Sequence, residues 1–292
     1  GLWRGILNIV GWLFSWLTLG VTMGAVAIGS VFWLYGQDLP DHEQLAQYEP
    51  ATLSRIYSGR GVMMDEFARE RRIYTPIDEI PDLVKHAFIS AEDKNFYNHG
   101  GFDPLGIAKA IFDAAQGGQL RGASTITQQV MKNFLLDGSR RAERKIKEIL
   151  LATRLEATLS KDENLGLYLN EIFLGQNSYG VTAAAQTYFS KSLDDLTPAE
   201  AAYLAALPKA PSTYHPVREK RRAMSRRNFV LKEMYENGYI TAEERAAARD
   251  SDLLSVQSGD IPSLRTNRPP RDYFTDEIRR QLATKLDGGE EE

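Results

Sequence analysis

The mainly helical character of this chain is set by residues 81–101, PDLVKHAFISAEDKNFYNHGG. After Pro81, apolar residues recur on one helical face, at Leu83, Val84, Ala87, Phe88 and Ala91. This spacing predicts an amphipathic helix that ends near 95–101. Similar patterns predict helices over 103–116, 124–136, 140–159, 161–173, 181–189, 197–207, 219–237 and 241–249. The predicted fold class is therefore mainly α.

Composition limits the class of protein. The 292 residues, 43% hydrophobic and 25% charged, allow one or two folded domains. A net charge of −4 gives no field that attracts nucleic acid. The sequence has no cysteine, which excludes disulfides and thiol catalysis. No HExxH, P-loop or GxGxxG motif occurs, so zinc-protease, nucleotide-hydrolysis and dinucleotide chemistry lack their usual residues.

Residues 1–37 predict a transmembrane anchor with a short cytoplasmic end. No charged residue occurs from Gly5 to Gln37. At about 1.5 Å per residue, this run as a helix exceeds the roughly 30 Å of a bilayer core. A cleaved signal peptide is the alternative, since 25–27 resembles a cleavage site, but the apolar run continues past it. Arg4 before the run and acidic residues after it predict that the remainder lies outside the cytoplasm.

The rest of the chain divides at two composition changes. Short alternating runs over 38–80 predict a strand or hairpin region. The segment 197–200, TPAE, combines a helix N-cap, a first-turn proline and a capping-box glutamate. Residues 251–292 are polar and predict a linker with a last short amphipathic segment from Tyr273. The globular domain is therefore predicted to span 38–250.

Two glutamates are candidates for chemistry. Glu92 lies at the edge of the apolar helix face, where partial burial raises the pKa of a carboxyl toward that of a general base for a sugar hydroxyl. A surface acid is the alternative. Glu148 follows Arg144 and Lys145 on one helix face, which keeps it ionised and suited to organise cations, or a metal ion, around a phosphate leaving group. The alternative is an exposed helix ion pair.

Other segments suggest anion binding less specifically. Residues 122–129 place a small-residue turn and hydroxyls before a helix, whose N-terminus can bind an anion, although such caps are usually structural. Basic clusters at 140–147 and 218–227 suit a diphosphate or an anionic membrane, or are solvated faces. His99, beside a glycine pair, fits a structural hydrogen bond better than catalysis.

Five motifs in order are specific enough to indicate a family. E-D-x-x-F-x-x-H-x-G matches 92–101, and G-x-S-T-I-T-Q-Q matches 122–129. R-K-x-x-E-x-x-x-A-x-x-L-E matches 144–156, and K-x-x-I-L-x-x-Y-L-N corresponds to 161–170. A fifth begins at His215-Pro216 and runs to Leu231. Together they resemble the glycosyltransferases that polymerise peptidoglycan from lipid II, the transglycosylase part of class A penicillin-binding proteins.

The resemblance implies a lysozyme-like, mainly α fold with a small jaw subdomain at about 100–140. It implies that Glu92 deprotonates the 4-hydroxyl of the acceptor GlcNAc. That oxygen attacks the donor MurNAc, forming a β-1,4 bond with inversion and release of undecaprenyl diphosphate. Glu148, with Lys145 and Arg144, is then placed at the diphosphate. No cofactor is required, although a divalent cation, Mg²⁺ or Mn²⁺, is compatible with Glu148.

The other residues that the resemblance places at the substrate lie in the same motifs: Asp93, Phe96, His99, Gly122, Ser124, Thr125, Gln128, Gln129, Lys132, Asn133, Arg144, Lys145, Asn170 and Arg226. Those of the second motif and its helix line the donor side, where moenomycin-type antibiotics compete. Asp93 and the Arg226–Arg227 pair are expected to hold the architecture of the cleft. Asn164 and Gly166 depart from the fourth motif and are expected to weaken helix packing or propensity.

The expected partners are lipid II, the lipid-linked glycan chain, the membrane and regulators of cell-wall synthesis. The expected location is the bacterial inner membrane, single-pass, with the catalytic domain on the periplasmic side. The tail resembles a linker toward a transpeptidase domain, but no S-x-x-K or K-T-G occurs, so no transpeptidase activity is expected in this chain. Two alternatives stay open: a membrane-anchored lysozyme-like lytic enzyme, and an inactive scaffold of cell-wall synthesis.

Overall fold

The computed structural model describes residues 2–36, 39, 54–57, 59–60, 63–67, 71–116, 124–135 and 141–263, with positions 273, 277, 278, 280 and 281. Gly122 of the second motif and most of the predicted linker beyond 263 lie outside the described residues.

Within these residues the protein is mainly helical, as predicted. The helices are α1 Leu2–Gly36, α2 Asp82–Glu92, α3 Pro104–Ala115, α4 Ile126–Leu135, α5 Arg141–Thr158, α6 Lys161–Glu171, α7 Val181–Phe189, α8 Pro198–Ala206, α9 Lys220–Glu236 and α10 Ala242–Asp250. The bounds of α3 to α10 agree with the predicted ones to within about two residues. Short 3₁₀ turns cover Ile77–Glu79, Phe96–Asn98 and Val256–Ser258.

The strands form two small sheets. β1 (Ser54–Tyr57) and β2 (Met63–Phe67) pair antiparallel, which confirms the predicted hairpin region. β3 (Arg71–Arg72) pairs in parallel with β4 (Ser178–Tyr179), a pairing that the sequence pattern does not predict.

Helix α8 forms the centre of the core. Every side chain from Ala201 to Ala206 is fully buried, and the helix packs against α2, α7, α9 and α10. Its alanines let these neighbours approach closely, and Tyr203 packs edge-to-face on Tyr188 with ring centroids 5.7 Å apart. The predicted capping box is present, since Thr197 and Glu200 each accept a hydrogen bond from the other's backbone N–H.

Helix α4 joins the core through α5 and α6. Its Ile126, Val130 and Met131 are at most 1% exposed, so this part of the predicted jaw belongs to the body of the domain. Helix α3 differs, because it leaves Leu105 79% and Phe112 62% exposed. Among the described residues of 100–140, α3 is therefore the element that leaves large apolar side chains exposed.

Helix α6 carries the two departures from the fourth motif. Asn164 is fully buried; its amide donates to Leu159 O at 3.4 Å, but no described residue gives its Oδ1 a hydrogen bond. A buried unpaired oxygen is destabilising, which agrees with the expectation for this residue. Gly166 lies against the Ile77 side chain, and a Cβ at this position would be 3.3 Å from Ile77 Cβ. The missing side chain thus permits a close contact, besides lowering helix propensity.

Helix α1 is long and apolar enough to cross a membrane. Its span Asn8–Tyr35 has 28 residues with a mean hydropathy of 1.8, and none of it is buried in the protein. As a helix this span measures about 42 Å, more than the hydrocarbon thickness of a bilayer.

Residues 251–263 pack on the domain, although the sequence predicts a linker from 251. Leu253 and Ser255 are buried, and Gln257 Nε2 donates to Thr187 O in α7 at 3.0 Å. Arg227, fully buried in α9, donates to Ser251 O and Arg249 O, each at 2.9 Å. The folded domain therefore extends beyond the predicted boundary at 250, and we call 251–263 the C-terminal strap.

Candidate active site

Glu92 is the last residue of α2, and the buried apolar face of that helix brings it into the protein. Its side chain is 14% exposed. Gln129 Nε2, on α4, donates to Glu92 Oε2 at 2.9 Å, whereas Oε1 is buried with no hydrogen-bond partner in the part of the chain that the structure describes. Arg226 on α9 lies 3.9 Å from Oε1. One oxygen of the carboxylate is therefore held, and the other is left for a proton donor.

Burial has the largest effect on the pKa of Glu92. Loss of hydration raises the pKa of Glu92 above its ordinary value, and the negative charge of Asp93 adds to that rise. The hydrogen bond from Gln129 and the charges of Arg226 and Lys209 oppose it. The carboxyl is thus shifted toward neutrality, as the sequence predicts for this position and as a general base requires.

The carboxylate of Asp93, next to Glu92, makes hydrogen bonds within the protein. His99 Nε2 lies 3.0 Å from both carboxylate oxygens, and the Ile126 backbone N–H donates to Oδ2 at 3.0 Å. Asp93 therefore holds the loop after α2 against the start of α4, as expected for a residue of cleft architecture. His99 makes the structural hydrogen bond that its sequence context predicts.

The second motif leads into α4, and its polar side chains make hydrogen bonds within the protein. Thr125 Oγ1 accepts from Gln128 N–H and donates to Gly101 O, at 3.2 and 2.6 Å. With Asp93 on Ile126 N–H, these contacts occupy backbone donors that an anion at this helix N-terminus would need. Thr125 and Asp93 therefore act as structural caps of α4, the alternative that the sequence leaves open.

Gly101 allows the first motif to lie on α5. Its φ is +88°, and a Cβ there would be 2.7 Å from backbone atoms of Ala152 and Thr153. Only glycine fits such a close approach in this conformation.

Lys145 connects the second motif to Glu148. Its Nζ donates to Ser124 Oγ and Gln128 Oε1 at 2.7 Å each, and to Glu148 Oε2 at 3.1 Å. Arg144 Nε lies 3.5 Å from the other oxygen of Glu148, whose side chain is 8% exposed. Glu148 is thus a nearly buried carboxylate between two cations, rather than part of an exposed ion pair.

Two consecutive glutamines therefore link the candidate carboxylates. Gln129 holds Glu92, and Gln128 accepts from the ammonium that pairs with Glu148. Adjacent residues of α4 therefore contact Glu92, whose pKa is raised, and Lys145, which pairs with Glu148.

A third set of polar contacts centres on Glu156 in α5. Glu156 Oε1 accepts from Thr127 Oγ1 at 2.6 Å and from Lys161 Nζ at 2.8 Å. The Lys161 ammonium also lies 4.5 Å from the centre of the Phe96 ring. Four of the five motifs meet in these contacts.

Apart from His99, described above, and Gly122, which lies outside the described residues, the predicted substrate-binding residues fall into two groups by burial. Accessible or partly accessible side chains belong to Ser124, Gln129, Lys132, Asn133, Arg144, Lys145 and Arg226. Buried side chains belong to Asp93, Phe96, Thr125, Gln128 and Asn170. In the structure these five side chains make contacts within the protein, and their contact with a substrate stays a prediction.

Two of these buried residues illustrate such contacts within the protein. Phe96 is fully buried between Lys161 and the edges of neighbouring rings. Asn170 exchanges hydrogen bonds with Thr75, since Oδ1 accepts from its N–H at 2.8 Å and Nδ2 donates to its carbonyl at 2.9 Å. Asn170 therefore ties α6 to the segment after β3.

Sequence reasoning gave no role to two residues that act on the Glu92 charge. Lys209, after α8, lowers the pKa of Glu92. Tyr168 has a buried hydroxyl without a hydrogen-bond partner among the described residues, and its own pKa is raised by burial and then by Glu92. Two sequence features could have pointed to them: Lys209 directly follows the apolar segment 201–208, and Tyr168 is a fixed position of the fourth motif as quoted above.

The donor set around Glu148 does not fit a metal ion. Both carboxylate oxygens face cationic nitrogens, and the described residues include no group of three or more acidic or histidine side chains suited to a metal. Lys145 and Arg144 supply positive charge at this place themselves.

A carboxyl with a raised pKa and a separate cation cluster, both in a helical domain, are compatible with glycosyl transfer. The transglycosylase family model matches residues 60–235, more than half of the chain, and this chain belongs to that family. It is 43% identical over 275 residues to penicillin-binding protein 1A of Rickettsia felis, which covers 93% of this chain and 34% of that protein. Penicillin-binding protein 1A of Neisseria flavescens is 46% identical over 235 residues, covering 80% of this chain and 29% of that protein.

The chain thus spans about a third of the length of these relatives. Among solved structures, penicillin-binding protein 1A from Haemophilus influenzae matches with a TM-score of 0.45 and 28% identity, covering 82% of this chain and 25% of that one.

Proposed function

We propose that this chain polymerises lipid II into glycan strands, with Glu92 as the general base. The observation that carries the proposal is the position of Glu92, nearly buried, with Oε2 held by Gln129 and Oε1 unpaired. Burial that raises the pKa of a carboxyl adapts it to accept a proton from a sugar hydroxyl. Membership of the transglycosylase family supports the same reaction class.

In the proposed step, the 4-hydroxyl of the acceptor GlcNAc donates its proton to Glu92 Oε1. The acceptor oxygen forms a bond to the anomeric carbon of the donor MurNAc as the bond from that carbon to the diphosphate oxygen breaks. Attack from the face opposite the leaving group inverts α to β. Undecaprenyl diphosphate leaves with the electron pair of the broken bond, and the proton stays on Glu92.

The cation cluster suits the leaving group. Lys145 and Arg144 put two positive charges beside Glu148, and the partial exposure of their side chains allows contact with an anion. Positive groups placed where negative charge develops lower the barrier of such a reaction. Glu148 keeps the cations in place, and no step of the proposal uses a metal ion.

Membrane attachment follows from the same substrate. A lipid-linked donor and product stay in the bilayer, and α1 offers an apolar span on the same chain. We place the domain on the outer face of the bacterial inner membrane, since Arg4 lies before the span and acidic residues follow it. Regulators of cell-wall synthesis stay a predicted class of partner.

The test uses the detergent-solubilised chain with labelled lipid II, and the products are resolved on a gel. Wild-type protein is expected to make polymer that moenomycin prevents, and Glu92→Gln is expected to make none. Glu236→Gln is the matched control, because Glu236 is an exposed glutamate of α9 paired with Lys232. It should match the wild type.

Other outcomes identify the alternatives. Release of fragments from purified glycan strands, without polymer from lipid II, would show a lytic enzyme. Folded protein with neither activity would indicate the scaffold. Polymer made by Glu92→Gln at the wild-type rate would refute Glu92 as the base.

A further inference from the structure

Two consecutive arginines of α9 have different surroundings. Arg227 is fully buried, and its guanidinium donates to the backbone carbonyls of Ser251 and Arg249 at 2.9 Å each. The Arg226 side chain is only 15% exposed, yet its Nε is buried with no hydrogen-bond partner among the described residues. Buried donors normally find a partner, so the position of the Arg226 guanidinium needs an explanation.

Two groups lie close to the Arg226 guanidinium, a carboxylate and an aromatic ring. Its Nη2 is 3.9 Å from Glu92 Oε1, which is within the range of an ion pair but beyond that of a hydrogen bond. Its Cζ is 4.6 Å from the centre of the Phe229 ring, a distance typical of a cation–π contact. Phe229 follows Arg226 by three residues on α9, the spacing at which two side chains of a helix meet. Phe229 also packs against the hydrophobic core, so the ring is a fixed support for the cation.

The distance of 3.9 Å matters because Oε1 is the oxygen that accepts the proton in the proposed step. A guanidinium about 1 Å closer would form a charge-assisted hydrogen bond to this oxygen, at roughly 2.7–2.9 Å. That bond would occupy Oε1 and lower the pKa of Glu92 further than the present charge of Arg226 does. The contact with Phe229 is the interaction that competes with this bond.

We propose that Phe229 is a positioning residue, whose ring holds the Arg226 guanidinium beyond hydrogen-bond distance of Glu92 and so keeps Oε1 open for the acceptor hydroxyl. This inference rests on the proposed role of Glu92 as base. At its present distance, the cation favours the ionised carboxylate without taking the position that the acceptor proton needs.

Phe229→Leu tests the proposal, because it removes the ring and keeps an apolar side chain against the core. The measurement is kcat/KM for lipid II polymerisation across acid and neutral pH, where the acid limb of the profile follows the ionisation of Glu92. Without the ring, the guanidinium is expected to pair with Oε1, so the acid limb should move to lower pH by about one unit. The plateau should fall by about tenfold, because an occupied and less basic oxygen is a weaker proton acceptor.

Three variants accompany Phe229→Leu. Phe229→Tyr keeps an aromatic ring and should have the wild-type profile. Phe229→Met removes the ring with a different apolar side chain and should repeat the shift. Tyr235→Leu is the matched control on the same helix, because it removes a second cation–π contact, in which the Arg245 guanidinium lies 5.2 Å from the ring centre. It should leave the acid limb in place.

Arg226→Met shows whether the ring acts through the guanidinium. In the Arg226→Met background, Phe229→Leu should no longer move the acid limb, whereas an equal shift in both backgrounds would overturn the proposal. The other described groups whose charge or titration interacts with that of Glu92 are the same in all these variants: Lys209, Asp93 and Tyr168.

A role of Phe229 in packing alone predicts a different result. The acid limbs of Phe229→Leu and the wild type would then coincide, whatever the change in unfolding temperature, and that result overturns the proposal. An acid limb that moves to higher pH also overturns it, since the ring would then hold the cation toward the carboxylate. Glu92→Gln separates the two levels. If Glu92→Gln still makes polymer, the proposed base is wrong; if it is inactive while Phe229→Leu has the wild-type profile, only the inference about Phe229 fails.

Discussion

Replacing Gly101 by alanine is expected to destabilise the domain strongly. The residue has a φ of +88°, and the new Cβ would lie 2.7 Å from backbone atoms of Ala152 and Thr153 in α5. The left-handed conformation costs an L-residue about 1–2 kcal/mol. Overpacking against a backbone that cannot rotate away adds about 1–3 kcal/mol. The expected loss in the free energy of unfolding is therefore about 2–5 kcal/mol.

Gly100 supplies a matched control one residue away. It is exposed, and a Cβ there meets nothing within 4 Å. Surface substitutions of this kind usually change stability by no more than about 0.5 kcal/mol.

The assay is thermal unfolding of the detergent-solubilised chain, followed by circular dichroism. At about 2–4 °C per kcal/mol for a domain of this size, Gly101→Ala should unfold roughly 4–20 °C below Gly100→Ala. Polymerisation should also fall, because the Gly101 carbonyl accepts from Thr125 and Gln128 at the start of α4. Equal unfolding temperatures for the two variants would refute the argument from close approach.

Four further predictions concern buried polar groups and helix ends. Asn164→Leu should raise the free energy of unfolding by about 1–2 kcal/mol, because it removes a buried unpaired oxygen; a lower denaturation midpoint would contradict this. Lys145→Met should abolish polymerisation and cost about 1–3 kcal/mol, whereas Lys147→Met on the same helix, which loses one ion pair, should keep activity in the gel assay. Because burial raises the pKa of Glu92, that residue's contribution to stability is lost as pH rises through its folded pKa. Glu92→Gln should therefore unfold at a higher temperature than wild type at alkaline pH, with the difference shrinking toward acid pH; a difference independent of pH would contradict the assignment. Thr197→Ala should cost about 1 kcal/mol in chemical denaturation through loss of the α8 cap, and an unchanged midpoint would show that the cap is dispensable.

Helix positions were predictable because their signals are local. The TPAE segment at 197–200 fixes the start of α8 by side-chain chemistry alone, and the structure contains that capping box. The pairing of β3 with β4 was not predictable, since two-residue strands have no periodicity to detect. Long-range pairing of this kind depends on the packing of the helices between the strands.

It was harder to predict which side chains of the motifs are buried than to predict where the helices lie. The family resemblance places Thr125 and Gln128 at the substrate, and in the structure both are buried and hydrogen-bond to Gly101 O and Lys145 Nζ. Phe96 is buried for the opposite reason, as an apolar residue in a loop that folds inward. The composition of a motif does not separate side chains that meet a ligand from side chains that hold their neighbours in place.

The C-terminal strap determines how short a working version of this domain can be. The helical pattern stops at residue 250, but a chain shortened there loses Ser251 O, an acceptor of the buried Arg227, together with the buried Leu253. Arg227 adjoins Arg226 in α9, and Arg226 faces Glu92. Such a fragment would keep all five motifs but would lose contacts that hold Arg227 of the fifth motif. Expression boundaries for biochemical work therefore belong after residue 263.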